Sequence, residues 1–164
     1  MYDARFSGVL LAVSSLPGPY GIGSLGAPAR RFVDFLAEAG QTYWQIMPLV
    51  PPGHGNSPYM SPSSFAGNPL FLDLDELAEE GLLTAEELDS ARRDNPDRVD
   101  YPWLLETRIP LLRKAWARGR ARYARELAEF LEAERSWLPD YALFLALRDR
   151  FDGKPLADWP DELR

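Results

Sequence analysis

A chain of 164 residues, with 46% hydrophobic and 26% charged side chains, is long enough for one domain with a core that buries about 70% of the unfolded surface. The net charge of −7 argues against a nucleic-acid partner, the absence of cysteine excludes disulfides, thiolate zinc sites and a cysteine nucleophile, and a single histidine leaves little basis for a metal centre or a Ser-His-Asp triad. The N-terminus has no cationic segment followed by an apolar run, and no stretch of about 18 apolar residues occurs, so no membrane partner is expected and a cytoplasmic location is the default.

The apolar run Gly8 to Val13, closed by Ser14 to Pro19, predicts a strand buried on both faces. A helix of about three turns follows. Pro28 suits its first turn, Phe32, Phe35, Leu36 and Ala39 recur at helical spacing, and Gly40 fits a left-handed C-terminal cap. Tyr43 to Met47 reads as a second strand, stopped by Pro48, Pro51 and Pro52. Strand, helix and strand in this order make a βαβ unit with parallel strands, and ligands of such units gather beyond the carboxyl ends of the strands. Ser14, Ser15 and the loop Gly53 to Pro69 emerge at that edge.

This loop exceeds the roughly 12–15 residues beyond which loops in compact domains are mostly functional or disordered, and Tyr59, Met60 and Phe65 argue for order. Leu70 to Asp73 reads as one more short extended segment. Asp73 to Gly81 reads as a short helix, and Thr84 with Glu87 forms a capping box opening another, which Asn95 and Pro96 break. Helices are then expected over Pro102 to Ala117 with a kink at Pro110, over Arg120 to Glu134, and from Pro139 to Phe151. The basic residues Arg113, Lys114, Arg118, Arg120, Arg122 and Arg125 precede four glutamates and read as a solvated helix face.

Gly21 to Gly26 reads GIGSLG and matches the dinucleotide fingerprint. Two prolines separate it from the first strand, however, and no acidic residue lies between Glu38 and Asp73 to hold a ribose, so a structural glycine turn is the better reading. No cofactor is expected.

From Ser7 to Ala29 and from Ala39 to Leu72, His54 is the only side chain able to carry charge near neutral pH. A neutral ligand is implied. Hydroxyls, amides and aromatic rings suit the edge and face of a sugar, which makes Ser57, Asn56 and Asn68 the polar candidates and Tyr59 the ring. Ser57 and Asn68 equally fit turn initiation before Pro58 and Pro69, and Tyr59 could be a buried loop anchor. His54 reads as an exposed loop residue rather than a base, Gln45 as a satisfied core amide, and Trp103, Trp116, Trp137 and Trp159 as core or packing rings.

Three separated stretches, Ser14 to Gly26 (SSLPGPYGIGSLG), Tyr43 to Leu49 (YWQIMPL) and Asn56 to Pro69 (NSPYMSPSSFAGNP), resemble the start of the amylomaltase or 4-alpha-glucanotransferase family. The likeness is densest to Leu72 and recovers at Trp137 to Phe144. It implies an α/β fold, the N-terminal part of a (β/α)8 barrel of the alpha-amylase superfamily with an inserted helical subdomain. Residues 1–73 would start the barrel, 74–136 form the helical insertion and 137–164 lead back toward the barrel. The family transfers alpha-1,4-glucan segments between maltodextrins by a retaining mechanism with two carboxylic acids. The resemblance sets those carboxylates further along than Arg164, so no catalytic residue is assigned and the 164 residues alone are expected to be inactive. Ser57 and Tyr59 would face the donor sugar. The sequence departs from relatives at His54 and Asn56. The alternative is a non-catalytic glucan-binding or assembly module that completes its sheet with another chain.

Overall fold

The computed structural model describes residues 5–93 and 97–163; Asn95 and Pro96, expected to break a helix, lie outside them. The chain divides into two compact units, Met1–Ala121 and Arg122–Arg164.

The first unit contains two strands, β1 (Gly8–Leu10) and β2 (Tyr43–Gln45), paired in parallel with Gly8 opposite Tyr43 and Leu10 opposite Gln45. The helix between them, α1 (Ala27–Glu38), begins with Pro28 in its first turn, and the chain leaves it through Gly40 at φ +67°. The βαβ unit expected from the sequence is therefore present. Both strands are shorter than expected. The Leu11 amide donates to the Gln45 carbonyl at 3.0 Å, and beyond this contact Val13–Ser15 coils into a single 3-10 turn.

The strands are also not buried on both faces: Leu10 is 58% exposed and Tyr43 59%. Among the described residues each strand has one neighbour, and the helix α1 packs on β2, where Phe32 meets Trp44 edge to face at 5.0 Å. Gln45, expected to be a core amide, is exposed for the same reason.

The core lies behind the carboxyl ends of the strands instead. Val13, Leu16, Ile22, Ala29, Leu70, Phe71 and Leu104 form one buried cluster, with Trp44 and Leu49 packed against it. Leu70 to Asp73, expected to be extended, contributes Leu70 and Phe71 from a 3-10 turn over Pro69–Phe71. The reason is local: Pro69 fixes a helical φ, and the Asn68 side chain accepts from the Leu70 amide at 3.0 Å.

Two short helices follow, α2 (Leu74–Glu79) and α3 (Ala85–Asp89). Asp73 caps α2 by accepting from the Asp75 and Glu76 amides at 3.0 and 3.2 Å. Thr84 and Glu87 cap each other's backbone in the capping box expected at α3. The long helix α4 (Tyr101–Gly119) continues through Pro110. Arg118 and Lys114 on α4 reach Glu87 at 2.6 and 3.1 Å, so part of the basic face, exposed as expected, also pairs α4 with α3. Trp116 is 52% exposed and is neither core nor closely packed.

The glycine turn is structural. A Cβ on Gly23 would stand 2.0 Å from the Val13 carbonyl oxygen, and one on Gly26 1.8 Å from Asp73 Oδ2. Ser24 donates to the same carboxylate at 2.5 Å, and Tyr20 donates to Asp75. Close packing against a backbone carbonyl and a carboxylate thus accounts for Gly23 and Gly26 without a nucleotide. Burial is the main cause that raises the Tyr20 phenol pKa, aided by Asp75. Arg108 of α4 is 1% exposed. It donates through Nη2 to the Leu72 carbonyl, and burial lowers its pKa to about 10 despite the opposing charge of Asp73.

The second unit holds α5 (Ala124–Ala133) and α6 (Leu138–Arg150). The first starts later than expected because Arg120 still caps α4, its amide donating to the Trp116 carbonyl at 2.9 Å. Trp159, 4% exposed, centres this unit. Its ring lies 5.7 Å from Phe144 and 5.4 Å from Phe151, and its indole N–H donates to the Lys154 carbonyl at 2.9 Å.

Candidate functional site

Beyond β2 the chain runs through three prolines into the Gly53 to Pro69 loop. Short local bonds order this loop. The Gly53 amide donates to the Ser57 carbonyl at 3.0 Å, and the Asn68 amide donates back to the Leu49 carbonyl at 2.8 Å. The first bond closes a turn inside the loop, and the second ties its far end back to the segment leaving β2.

His54–Asn56 forms a turn in which Gly55 and Asn56 adopt φ +64° and +59°. Asparagine tolerates this region because its short side chain is compatible with the left-handed backbone. His54 is exposed, as expected of a loop residue. Pro58–Met60 forms the next turn, with the Ser57 hydroxyl accepting from the Tyr59 amide at 3.3 Å. Asn68 is 7% exposed and makes the same kind of bond to Leu70. The turn-initiating roles of Ser57 and Asn68 are thus both realised.

Tyr59 is not a buried anchor; it is 72% exposed. Its phenol donates to the thioether sulfur of Met47 at 3.2 Å. With Ile46, Leu49, Phe65 and Ala66 these two residues line an open depression of about 640 Å³, and none of its lining residues is charged. A second hollow of about 220 Å³ lies against the 3-10 turn after β1, with Val13, Ser14, Pro48, Asn56, Asn68 and Tyr101 on its walls. Ser14, Asn68 and Tyr59 therefore gather on the carboxyl side of the parallel pair, in two adjoining hollows. Met47, beside Pro48, reads in the sequence only as the end of a strand, and Phe65 only as a sign of an ordered loop.

Among the described residues, no group of three or more acidic, histidine or cysteine side chains stands close enough to hold a metal ion, and no helix is long and apolar enough to cross a membrane. The site offers hydroxyls, amides, a phenol and apolar walls without fixed charge. Such a surface exchanges hydrogen bonds with hydroxyls and stacks on the faces of neutral rings, and has nothing to neutralise phosphate or carboxylate.

These features define a partial α/β chain whose strand-end loops suit a neutral polyhydroxylated ligand. Comparison with known proteins gives the family. A family model described as 4-alpha-glucanotransferase matches residues 11–164. The chain is 44% identical over 167 residues to the 4-alpha-glucanotransferase of Synechocystis sp., covering 99% of this chain and 33% of the relative. It is 46% identical over 164 residues to that of Thermus thermophilus, covering 98% of this chain and 32% of the relative. Among solved structures, amylomaltase from Streptococcus agalactiae in complex with acarbose aligns with a TM-score of 0.89 at 42% identity, covering 96% of this chain and 32% of that one. The chain belongs to the 4-alpha-glucanotransferase family, and it spans about a third of the length of the curated relatives it matches.

Proposed function

We propose that this chain supplies part of the donor-side glucan surface of a 4-alpha-glucanotransferase, an enzyme that moves alpha-1,4-glucan segments between maltodextrins. In this reading residues 1–73 begin a (β/α)8 barrel, 74–136 belong to a helical insertion and 137–164 resume the barrel. Ser57 and Tyr59 meet the sugar, and Asn68 shapes the wall of the adjoining hollow. The observation that carries the reading is an exposed phenol over an uncharged depression at the carboxyl side of two parallel strands. The similarity to an amylomaltase solved in complex with acarbose supports it.

Two carboxylic acids are required for retaining transfer. The loops proposed to meet the sugar carry none, because no Asp or Glu lies between Glu38 and Asp73. The 164-residue polypeptide by itself is therefore expected not to catalyse transfer. Titration with maltoheptaose, followed by NMR, tests the site: amide shifts should centre on residues 46–68, and Tyr59→Ala should weaken binding at least tenfold. Incubation with maltotriose should yield no longer or shorter maltodextrins. Unchanged affinity in Tyr59→Ala, or clear disproportionation by the unsubstituted chain, would overturn the reading.

The exposure of Phe6, Leu10 and Tyr43 along the two-stranded sheet favours a second reading, a non-catalytic assembly module whose sheet is completed by another chain. A defined complex at size exclusion that binds maltoheptaose without transfer would support it.

A further inference from the structure

Met47 and Tyr59 come from different segments and meet at the rim of the larger depression. Their hydrogen bond can run in one direction only. A thioether has lone pairs and no proton, so the phenol must be the donor. A serine or threonine partner at position 47 could donate or accept, and would leave the phenol's polarity undetermined.

The Tyr59 hydroxyl carries one proton, and that proton points at sulfur. Its oxygen is left with acceptor capacity toward solvent, while the exposed ring keeps an apolar face. The rotation of the O–H about its bond to the ring is set at the same time, because a proton aimed at Met47 aims the lone pairs away from it.

We propose that Met47 is a positioning residue that fixes the polarity of Tyr59, so that the phenol oxygen accepts a hydrogen bond from a hydroxyl of the bound glucan and does not donate to the ligand. The proposal rests on the reading of Tyr59 as a glucan contact. It adds a selectivity: a ligand must present a free hydroxyl at this point, and a sugar carrying a methyl ether there loses the bond even though its oxygen remains.

Met47→Leu tests this, since it conserves volume and removes the acceptor. Maltoheptaose affinity is compared among the unsubstituted chain, Met47→Leu, Tyr59→Phe and the double variant. Loss of one neutral hydrogen bond corresponds to about two- to tenfold in affinity. The expected result is weakening in that range for Met47→Leu, at least as much for Tyr59→Phe, and no further loss when Met47→Leu is added to Tyr59→Phe. Losses that multiply in the double variant, or an unweakened Met47→Leu beside a weakened Tyr59→Phe, would overturn the proposal. The Met47 methyl resonance gives a readout free of ligand: it should shift in Tyr59→Phe, and an unchanged resonance would also overturn it. Maltoheptaose affinity unaffected by loss of the whole Tyr59 side chain would count against the glucan site itself, leaving the methyl resonance to decide whether the two side chains are bonded.

Discussion

Asp73 is the side chain whose removal should cost the first unit most for its size. One carboxylate oxygen caps α2 through the Asp75 and Glu76 amides, and the other accepts the hydroxyl of Ser24, which is only 6% exposed. In Asp73→Ala the lost cap costs about 0.5–2 kcal/mol, and the buried Ser24 hydroxyl, left without an acceptor, adds about 1–3 kcal/mol. The expected total is about 1.5–5 kcal/mol, a large share of the roughly 5–15 kcal/mol that holds a domain together. Asp73→Asn keeps an oxygen for the cap and turns an amide N–H toward Ser24, whose oxygen can accept, so its cost should be about 1 kcal/mol. Urea titrations followed by far-UV circular dichroism give both values from the shift in midpoint at constant slope. A loss below 1 kcal/mol for Asp73→Ala would refute the assignment. Equal losses in the two variants would refute it as well, because they would trace the effect to charge near Arg108 and not to the hydrogen bonds.

The ion cluster at Glu87 makes stability depend on acid. The bidentate Arg118, the Thr84 amide and Lys114 hold the carboxyl at about 2, against the usual 4.5. A depressed folded pKa stabilises above the unfolded value, so this contribution is complete above about pH 4.5 and disappears as pH falls toward 2. Glu87→Gln should flatten the fall of the urea midpoint across that window, and an unchanged slope would contradict the role. In the second unit, Trp159→Ala removes the ring on which Phe144 and Phe151 pack and the donor to Lys154. Core truncations of this size cost about 3–5 kcal/mol, so limited proteolysis should cut residues 122–164 much faster than in the unsubstituted chain.

Features governed by near neighbours were legible in the sequence. Pro28 and Gly40 bounded α1, the Thr84 and Glu87 pair opened α3, and two apolar runs flanking a helix gave the parallel pair. Position at the carboxyl ends of those strands was enough to single out Ser14 and the Gly53 to Pro69 loop. Contacts between distant segments were not legible. Arg118 and Lys114 sit 31 and 27 positions from Glu87, and nothing in a run of basic residues says which of them will be neutralised. Arg108 in a helix reads as a surface residue until Leu72 and Asp73 are found beside it. The apolar run Gly8 to Val13 predicts a buried strand, yet burial depends on neighbours, and the described residues give β1 a single one.

The candidate site is ordered although the two-stranded sheet of the described residues is open. Of the two strands, β2 meets the loop's anchor through Trp44, and the other contacts come from turns and from α4. Asn68 bonds to Leu49 and Leu70, Leu70 and Phe71 enter the cluster around Leu16 and Leu104, and Arg108 holds Leu72 from α4. The frame of the loop is therefore built from the turns after β1 and β2 and from α4, all within the first unit. Whatever covers Leu10 and Tyr43, the Asn68 end of the loop is tied down by these contacts, and the bond between Tyr59 and Met47 joins its middle to the segment leaving β2.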